Sequence, residues 1–501
     1  MTRKIPVLSL ALTMALAILG TAVFAQAKGP LNFALSGNPD TLDPQTTSGT
    51  LTFQVVRSLY DTLVEPDKDG KIVPALAVSY SASADALTWT FNLRTGVLFQ
   101  NGDKFTSADV KATFDRIRDP ATASPKASEY KAITAIETPN PSTVVFKLSQ
   151  PYSPFIATLA SGWSAILPKG LIDSKNNFSA NPVGTGPYKM KEWVRDNRIV
   201  LEKNPNYWMK GFPKLDRVNF NIIPEQAVEV QGLLTGDIDI IYLVNETDIP
   251  VLSGDPGTKL EKSMSALVQV MGINCQKPNL DNVKLRQAIS MAIDKQQALD
   301  IAYAGGVPVA TFMDVSDPYY KDFNALLPYN PDKARQLIKE ANIPADRVFE
   351  MVLPQNYDPH VKAGQLYQEM LTKVGLKVPI KLVDWSTCLT DVYRGGKYDF
   401  TVIGHTGKLD PDGRLAGYGT DKTYVRWINA KYVELIDKAK TVAKFEDRKK
   451  LYDEATLIMA QEVPFVFVGT SYRYIGLRKD VSGFIMDTKQ DTFDFRYTEK
   501  K

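Results

Sequence analysis

Charged side chains follow an apolar run at residues 400–403 and are the first candidates for chemistry in this chain. The run Phe400-Thr-Val-Ile403 has the composition of a buried strand, and Gly404 then breaks the pattern into a loop. Charged loops at the ends of buried strands are frequent ligand sites in α/β proteins. The charged residues of this loop are Lys408, Asp410, Asp412 and Arg414. The alternative interpretation is a solvated turn closed by Asp410-Pro411.

Sequence motifs for common catalytic chemistry are absent from the chain. There is neither Gly-x-Ser-x-Gly for a serine hydrolase nor His-Glu-x-x-His for a zinc protease. The glycine turn Gly184-Thr-Gly-Pro-Tyr188 lacks the Gly-Lys-Ser/Thr of a P-loop, and Gly404-His-Thr-Gly-Lys408 has the wrong spacing for one. Asp410 and Asp412 would need a particular separation for glycosidase chemistry. We therefore expect a binding protein without a cofactor rather than an enzyme, with a hydrolase as the remote alternative.

The two histidines give no metal site. His360 and His405 are far apart in the sequence, and no third ligand is identifiable beside either. We expect no bound metal ion.

The N-terminus has the pattern of a secretory signal peptide. Arg3 and Lys4 precede an apolar run from Val7 to Leu19, and small residues follow up to Ala25. No later stretch is long and apolar enough to be a transmembrane helix. Residues 1–25 are therefore predicted to be removed on export, with cleavage after Ala25 or Ala27, which leaves a free protein in the periplasm. The secondary alternative is that the apolar run stays as a membrane anchor.

Composition limits the partners of the exported chain. With 501 residues, 44% of them hydrophobic and 23% charged, it should be a globular protein of two or three domains. Without Arg3 and Lys4 there are 57 basic and 56 acidic residues. The net charge is therefore too small to attract nucleic acid or an anionic membrane. A lipoprotein needs a cysteine at its cleavage site, but the first cysteine is Cys275, which excludes lipid anchoring. Cys275 and Cys388 form either one disulfide or two isolated buried thiols.

Hydrophobic periodicity predicts mixed helices and strands. Leu31–Leu35 has the pattern of a strand, and Leu87–Leu93 alternates apolar and polar residues as a half-buried strand does. Three amphipathic runs are preceded by predicted helix caps, which are Thr106 or Ser107, Asp281 or Asn282, and Asn330. These alternations indicate an α/β fold.

Several motifs in sequential order resemble one family. The most distinctive is Asn181-Pro-Val-Gly-Thr-Gly-Pro-Tyr188. The full series is Leu87–Val110, Asn181–Tyr188, Asn204–Trp208, Pro213–Asp216, Gly236–Asp239, Val283–Asp294, Asn330–Arg335 and Tyr398–Arg414. Together they resemble the extracellular solute-binding proteins of the peptide/nickel family, which are the periplasmic receptors of ABC importers.

The resemblance implies an architecture. It is the two-lobed periplasmic-binding-protein fold of class II, cluster C, with an inserted subdomain and a hinge of two strand crossings. The implied bounds are 26–69, 181–282 and 469–501 for lobe I, 70–180 for the inserted subdomain, and 283–468 for lobe II. The ligand would be engulfed when the lobes close, and closure would couple binding to docking on the permease.

The resemblance also implies ligand-binding residues. In peptide-binding members, the loop matching Gly404-His-Thr-Gly407 is followed by an aspartate that pairs with the peptide ammonium, whereas this chain has Lys408. The alternatives are that Asp410 takes the ammonium or that Lys408 points to solvent. His405 replaces a usual tryptophan, and His360 matches a pocket histidine of oligopeptide binders. The full candidate set is Gly404, His405, Thr406, Gly407, Lys408, Asp410, Arg414, His360, Trp427 and Asn38. Trp427 is included because it, like Trp163 and Trp385, either stacks on a sugar ring or is a core residue.

Lys408 changes the expected ligand. An ammonium that faces another ammonium in a water-poor cleft lacks compensation, so a carboxylate, phosphate or sulfonate is favoured there. We expect a small polar ligand such as an opine, a modified peptide or glutathione, captured by a monomer and delivered to an inner-membrane ABC permease. An ordinary di- or oligopeptide is the first alternative, and an oligosaccharide is the second.

Overall fold

The protein is described by a computed structural model over residues 29–68, 70–355 and 357–501. The predicted signal peptide, residues 1–25, lies outside the described residues. Within these ranges no helix combines the length and the hydropathy that a bilayer crossing requires.

The first part of the chain contributes a strand to a large sheet and then forms a small sheet of its own. Its elements are β1 (Leu31–Leu35), α1 (Thr50–Val56), β2 (Val64–Pro66), β3 (Ile72–Pro74), β4 (Ala77–Ala82), β5 (Thr88–Leu93), α2 (Ser107–Arg118), β6 (Ile133–Asn140), β7 (Thr143–Leu148), α3 (Phe155–Leu159) and α4 (Lys169–Asp173). The predicted strand Leu31–Leu35 is confirmed. The alternation predicted for β5 is also confirmed, because Trp89, Phe91 and Leu93 are buried on one face.

The small sheet has its own hydrophobic core. Its antiparallel strands have the order β4-β5-β7-β6. Phe91, Phe114 and Phe146 lie in this core, and α2 covers the sheet. Thr106 caps α2, as predicted, and its backbone N–H donates to the Asp109 carboxylate at 2.8 Å.

The next part of the chain completes one half of the large sheet. Its elements are β8 (Tyr188–Val194), β9 (Arg198–Lys203), β10 (Arg217–Ile222), α5 (Gln226–Thr235), β11 (Ile240–Ile241), α6 (Ile249–Gly254) and β12 (Thr258–Ile273). Gly184 and Gly186 precede β8 and lie directly against the Leu59 backbone, where a Cβ on either glycine would clash. The glycine turn therefore serves a close backbone crossing, consistent with the poor match to a P-loop.

The third part forms the other half of the sheet and the helices around it. Its elements are α7 (Val283–Ala292), α8 (Lys295–Ala302), β13 (Gly306–Val307), α9 (Pro331–Glu340), β14 (Met351–Pro354), α10 (Asp358–Lys373), β15 (Ile380–Val383), α11 (Trp385–Thr387), β16 (Phe400–His405), α12 (Asp412–Leu415), α13 (Ala430–Lys440) and α14 (Phe445–Glu462). A π-helix, Cys388–Arg394, follows α11. The Asn282 and Asn330 side chains accept hydrogen bonds from the first turns of α7 and α9, which confirms both predicted caps.

The chain then returns to the half of the large sheet that contains β1. The last strands are β17 (Phe465–Arg478), β18 (Val481–Ser482), β19 (Ile485–Asp487), β20 (Thr492–Asp494) and β21 (Glu499–Lys500). Short 3₁₀ turns occur at Pro120–Thr122, Ala127–Tyr130, Gly162–Ser164, Glu246–Asp248 and Asn324–Leu326.

Two long strands connect the halves of the large sheet. Its order is β15-β14-β16-β12-β17-β11-β1-β10-β9-β8, and β13 also pairs with β17. β12 and β17 are antiparallel along nearly their whole length, with a register shift between Met264 and Val268. We call the half with β1 and β8–β11 lobe I and the half with β14–β16 lobe II.

Each lobe is a layered α/β structure around its part of the sheet. In lobe II, Phe400 and Val402 face a core formed with α7–α10, whereas Ile403 faces a second core formed with α13 and α14. In lobe I, Phe33 and Phe220 pack with the C-terminal strands, and Ala34 faces α5 and α6. The α/β fold predicted from the sequence is confirmed.

The two cysteines are free thiols. Cys275 and Cys388 are both buried. Burial raises the pKa of each thiol to about 11, so neither is a reactive thiolate near neutral pH.

Candidate ligand-binding site

A cavity of about 720 Å³ lies between the lobes, within the size range of small-molecule sites. Three parts of the chain line this interlobe cavity. Lobe I contributes Phe53, Arg473 and residues 488–492; the region of the small sheet contributes Lys126, Glu129, Tyr152 and Trp163; and lobe II contributes residues 406–410, Asp412 and Gly413. A ligand in the cavity would therefore touch both lobes.

The loop after β16 carries the lobe II side of the cavity. Gly404 and His405 still belong to the strand and pair with Gln269 and Val268 of β12. The chain then leaves the sheet, so that Thr406, Gly407, Lys408 and Asp410 line the cavity. The buried strand predicted from the sequence is confirmed, and the charged loop follows its end.

Lys408 lines the cavity, where it remains exposed to solvent and has no partner for its charge. No hydrogen bond or ion pair of its ammonium is found among the described residues. Its stem lies along the loop, since a Cβ on Gly413 would lie 3.1 Å from Lys408 Cγ. Burial and then the nearby charge of Lys126 lower the pKa of Lys408, with Glu129 acting in the opposite direction. An anion beside Lys408 would raise its pKa again and so offset the effects of burial and of Lys126.

The other cations of the cavity are already paired. Lys126 Nζ lies 2.6 Å from the Glu129 carboxylate and 4.7 Å from the centre of the Trp163 ring. Arg473 lies 2.6 Å from Asp491. Lys489 of lobe I lies 2.9 Å from Asp317 of lobe II, and both side chains are buried. The uncompensated positive charge of the cavity is therefore that of Lys408.

Asp410 is compensated within lobe II. Its two carboxylate oxygens accept hydrogen bonds from Arg448 at 2.5 and 2.7 Å, and both residues are buried. Arg448 also donates to the hydroxyls of Tyr319 and Tyr452. A carboxylate held in this way is a poor partner for a ligand ammonium. The sequence had left ammonium binding open as an alternative role of Asp410.

Gly407 marks a close approach between the lobes. A Cβ on Gly407 would lie 2.7 Å from Ala266 Cβ and 2.9 Å from Lys489 Cα. Ala266 belongs to the shifted segment of β12, and Lys489 belongs to the turn between β19 and β20. Only glycine allows the loop and this turn to come so close.

Comparison with known proteins identifies the family. Residues 71–424 match the family described as bacterial extracellular solute-binding proteins, family 5 Middle. The chain belongs to this family. Proteins of this kind supply substrates to ABC importers, and a substrate-binding role follows for this chain.

Three relatives are particularly informative. The glutathione-binding protein GsiB of Escherichia coli O1:K1 / APEC is 32% identical over 375 residues, which cover 75% of this chain and 73% of GsiB. HbpA2 from Haemophilus parasuis has a TM-score of 0.85 at 26% identity, over 94% of this chain and all of that chain. The binding protein AgaA in complex with agropinic acid, from A. tumefacien R10, has a TM-score of 0.72 at 31% identity, over 94% of this chain and 99% of that chain.

Several site residues expected for this solute-binding protein do not line the cavity. His405 Nε2 lies 2.8 Å from the Tyr424 hydroxyl, and its ring packs against Phe312 within lobe II. His360 is buried on the other face of the lobe II sheet, with Nδ1 3.3 Å from the Tyr303 hydroxyl. Both imidazoles belong to aromatic clusters, so neither faces the interlobe cavity.

Arg414, Trp427 and Asn38 also lie elsewhere. Arg414 is buried behind the loop and donates to the Ala266 carbonyl at 2.5 Å. The Trp427 indole donates to the Glu462 carboxylate at 2.6 Å in the core of lobe II. Asn38 forms two hydrogen bonds with Asp196 on the surface of lobe I. These contacts account for Trp427 and Asn38 without a ligand, whereas Arg414 keeps its Nε and Nη1 buried without a hydrogen-bond partner.

Sequence reasoning missed most of the cavity wall opposite Lys408. Lys126, Arg473 and Lys489 come from distant segments with no local motif, whereas Trp163, considered above as a sugar-stacking residue, does line the cavity. Among the described residues, no group of three metal-ligating side chains is present.

Gly407→Val should separate the loop from the facing turn. The added side chain would overlap Ala266 and the Lys489 backbone, so we expect a loss of stability of about 1–3 kcal/mol and a larger radius of gyration. Urea unfolding and small-angle X-ray scattering measure the two effects. The control is Gly170→Ala, because nothing lies within 4 Å of a Cβ there. Unchanged stability and size in Gly407→Val would contradict the close approach.

The two histidines should titrate far below their ordinary range. Burial lowers the pKa of His360 to about 4, and burial together with the charge of Arg414 lowers that of His405 to about 4. Because the unfolded chain protonates near pH 6.5, these histidines reduce stability as the pH falls from about 6.5 towards 4. Proton NMR of the tag-free protein can follow both rings. A ring that titrates near pH 6.5 would lie in water, contrary to the structure.

Arg448→Met should destabilise lobe II strongly. The variant leaves Asp410 buried without its cation, which typically costs about 3–5 kcal/mol. The matched control is Lys431→Met, which breaks an exposed ion pair with Glu434 and should change the free energy of unfolding by about 1 kcal/mol or less. Urea unfolding compares the two variants, and equal effects would show that the Asp410 carboxylate is not dependent on Arg448.

Proposed function

We propose that this solute-binding protein captures a small ligand with an exposed anionic group and that Lys408 binds this group. The observation that carries the proposal is the uncompensated ammonium of Lys408 in the interlobe cavity. A carboxylate, phosphate or sulfonate would supply the missing negative charge. A charge-assisted hydrogen bond of this kind contributes roughly 1.5–3 kcal/mol.

The same charge disfavours a free peptide amine at this position. Two ammonium groups would repel each other there, and the repulsion would grow as closure of the lobes removed the water around Lys408, which is exposed in this structure. Asp410 cannot easily take over the ammonium because Arg448 occupies both of its oxygens. These contacts favour an acidic conjugate over an ordinary peptide with its N-terminus at this loop.

The ligands of two relatives agree with an acidic conjugate. GsiB is named as a glutathione-binding protein, and AgaA was determined with agropinic acid. Glutathione carries two carboxylates, and agropinic acid is an acid by name. We therefore propose an opine or glutathione-like conjugate as the ligand class.

Binding would be coupled to closure of the lobes. The register shift between Met264 and Val268 of β12 faces Thr470 and Tyr472 of β17, and we propose that the lobes rotate about this segment. The register shift lies within residues 181–282, which were expected to belong to lobe I. Its partners on β17 come just after residue 469, where the chain was expected to return to lobe I. A ligand that touches Lys408 and the lobe I turn at 488–492 would favour the closed state. The closed form would then dock on an inner-membrane ABC permease.

We extend the proposal to the cellular setting of the protein. Residues 1–25 would direct export to the periplasm, where the protein would work as a monomer without a lipid anchor. It would bind and release its ligand without changing it, since its relatives are binding proteins. Turnover of a labelled ligand would contradict this part of the proposal.

An oligopeptide is the second candidate ligand. A further cavity of about 1140 Å³ lies between the small sheet and the loop that joins α13 and α14, and it shares Leu409 and Asp410 with the interlobe cavity. This space could hold the remainder of a longer ligand. Such a peptide would still have to place an acidic group near Lys408.

Substitution of Lys408 tests the proposal. Mass spectrometry of the copurified ligand would come first, followed by calorimetry with glutathione, opines and dipeptides. Lys408→Met should weaken binding of an acidic conjugate by roughly 10- to 150-fold, and Lys408→Asp should shift preference towards peptides with a free amine. Lys373→Met is the control, because Lys373 pairs with Glu369 on the surface of α10. Tight dipeptide binding that is unaffected by Lys408→Asp would refute the anion-binding role.

A further inference from the structure

A buried ion pair joins the two lobes close to the proposed hinge segment of β12. Lys489 belongs to the lobe I turn between β19 and β20, and its ammonium lies 2.9 Å from the Asp317 carboxylate of lobe II. The two side chains are only 4% and 6% exposed. Because a rotation of one lobe against the other can separate these residues, the pair favours the lobe arrangement of this structure.

Arg414 of lobe II lies beside this pair with most of its donors unused. It is 8% exposed, and its Nη2 donates to the Ala266 carbonyl at 2.5 Å. Its Nε and Nη1 are buried and have no hydrogen-bond partner, and no ion pair of Arg414 is found among the described residues. Buried guanidinium donors without an acceptor are rare and costly, so Arg414 lacks a partner in this arrangement.

Two carboxylates of lobe II lie within electrostatic reach of Arg414. Burial lowers the pKa of Arg414, and the charges of Asp314 and Asp317 act in the opposite direction. Asp314 is buried, and its Oδ2 also has no hydrogen-bond partner. Lys489 approaches from lobe I, since a Cβ on Gly407 would lie 2.9 Å from Lys489 Cα and 3.2 Å from Arg414 Nη2. Two cations and two carboxylates, all of them described residues, therefore lie near Gly407 and share one ion pair.

The four groups are divided unequally between the lobes. Arg414, Asp314 and Asp317 move together with lobe II, whereas Lys489 moves with lobe I. Solvent reaches Lys408, so the lobes are not closed over that side chain in this structure. A rotation that separates Lys489 from Asp317 leaves a buried carboxylate without its cation, which is costly unless another cation replaces it. Arg414 is the neighbouring cation with unused donors.

We propose that Asp317 exchanges Lys489 for Arg414 when the lobes close, so that Lys489 stabilises the open arrangement and Arg414 stabilises the closed one. The inference rests on the proposed closure around a ligand, but it does not depend on which ligand is bound. Arg414 is then a positioning residue, because it acts on the lobes and lies behind the wall of the interlobe cavity. Ligand affinity depends in part on two ion pairs that do not include the ligand.

Small-angle X-ray scattering of the unliganded protein tests the exchange. Lys489→Met removes the pair of the open arrangement, so the radius of gyration should fall as the closed form gains population. The double variant Lys489→Met/Arg414→Met lacks both cations and should regain the radius of the unsubstituted protein. Lys500→Met is the matched control, because Lys500 pairs with Asp239 at the same 2.9 Å within lobe I, and it should leave the radius unchanged.

Calorimetry with glutathione, as a probe of the anion site, gives a second readout. Lys489→Met should bind glutathione at least about fivefold more tightly, although the cavity loses a cation. Arg414→Met should bind it at least about fivefold more weakly, because the closed form loses its ion pair. Arg414→Lys keeps the charge and should restore part of the affinity, which separates a lost ion pair from misfolding.

The outcomes separate this inference from the proposed function. An unchanged or larger radius of gyration in Lys489→Met, or a double variant as compact as the single one, overturns the exchange. Weaker glutathione binding by Lys489→Met also overturns it and would make Lys489 a ligand contact. If glutathione does not bind at all, the scattering result decides. Binding that is indifferent to Lys408→Met overturns the anion site and leaves the exchange intact.

Discussion

The antiparallel pairing of β12 with β17 is the constraint on which the rest of the structure depends. These strands belong to both halves of one sheet, and they hold the lobes together while the cores of the lobes stay separate. The pairing is interrupted between Met264 and Val268, beside the Ala266 carbonyl that Arg414 contacts. Rigid lobes joined by such a segment can rotate as units, since packed cores resist deformation. The interlobe cavity exists because this segment lets the lobes face each other.

Charge compensation decides what the cavity can hold. Most charged groups around it are neutralised by the protein itself, and the buried pair Lys489–Asp317 even joins the two lobes. A group that is already paired gains little from a ligand, because the desolvation of a further charge offsets the new contact. Among the cations that line the cavity, Lys408 is the residue whose charge the described side chains leave unpaired, so an anion would improve the balance there. In the proposed function, selectivity depends on the charge that the fold leaves unpaired at Lys408.

The sequence predicted the local elements well because caps and periodicity are local properties. The Asn282 and Asn330 caps, the β16 strand and its charged loop all depend on neighbours within a few residues. The Arg448 partner of Asp410 could not be predicted because it lies 38 positions away in the sequence, and this contact weakens the alternative of Asp410 as an ammonium site. His405 occupies a family pocket position, yet the side chain turns into lobe II towards Tyr424. A motif gives the position of a residue on an element, but the direction of its side chain depends on distant partners.

A crystal structure with the natural ligand bound tests the central claim most directly. The account predicts an anionic oxygen of the ligand at about 2.7–3.2 Å from Lys408 Nζ, with the ligand also touching the lobe I turn at residues 488–492. A ligand bound between the lobes with Lys408 turned away from it, or with an apolar or cationic group nearest to Lys408 Nζ, would contradict the account.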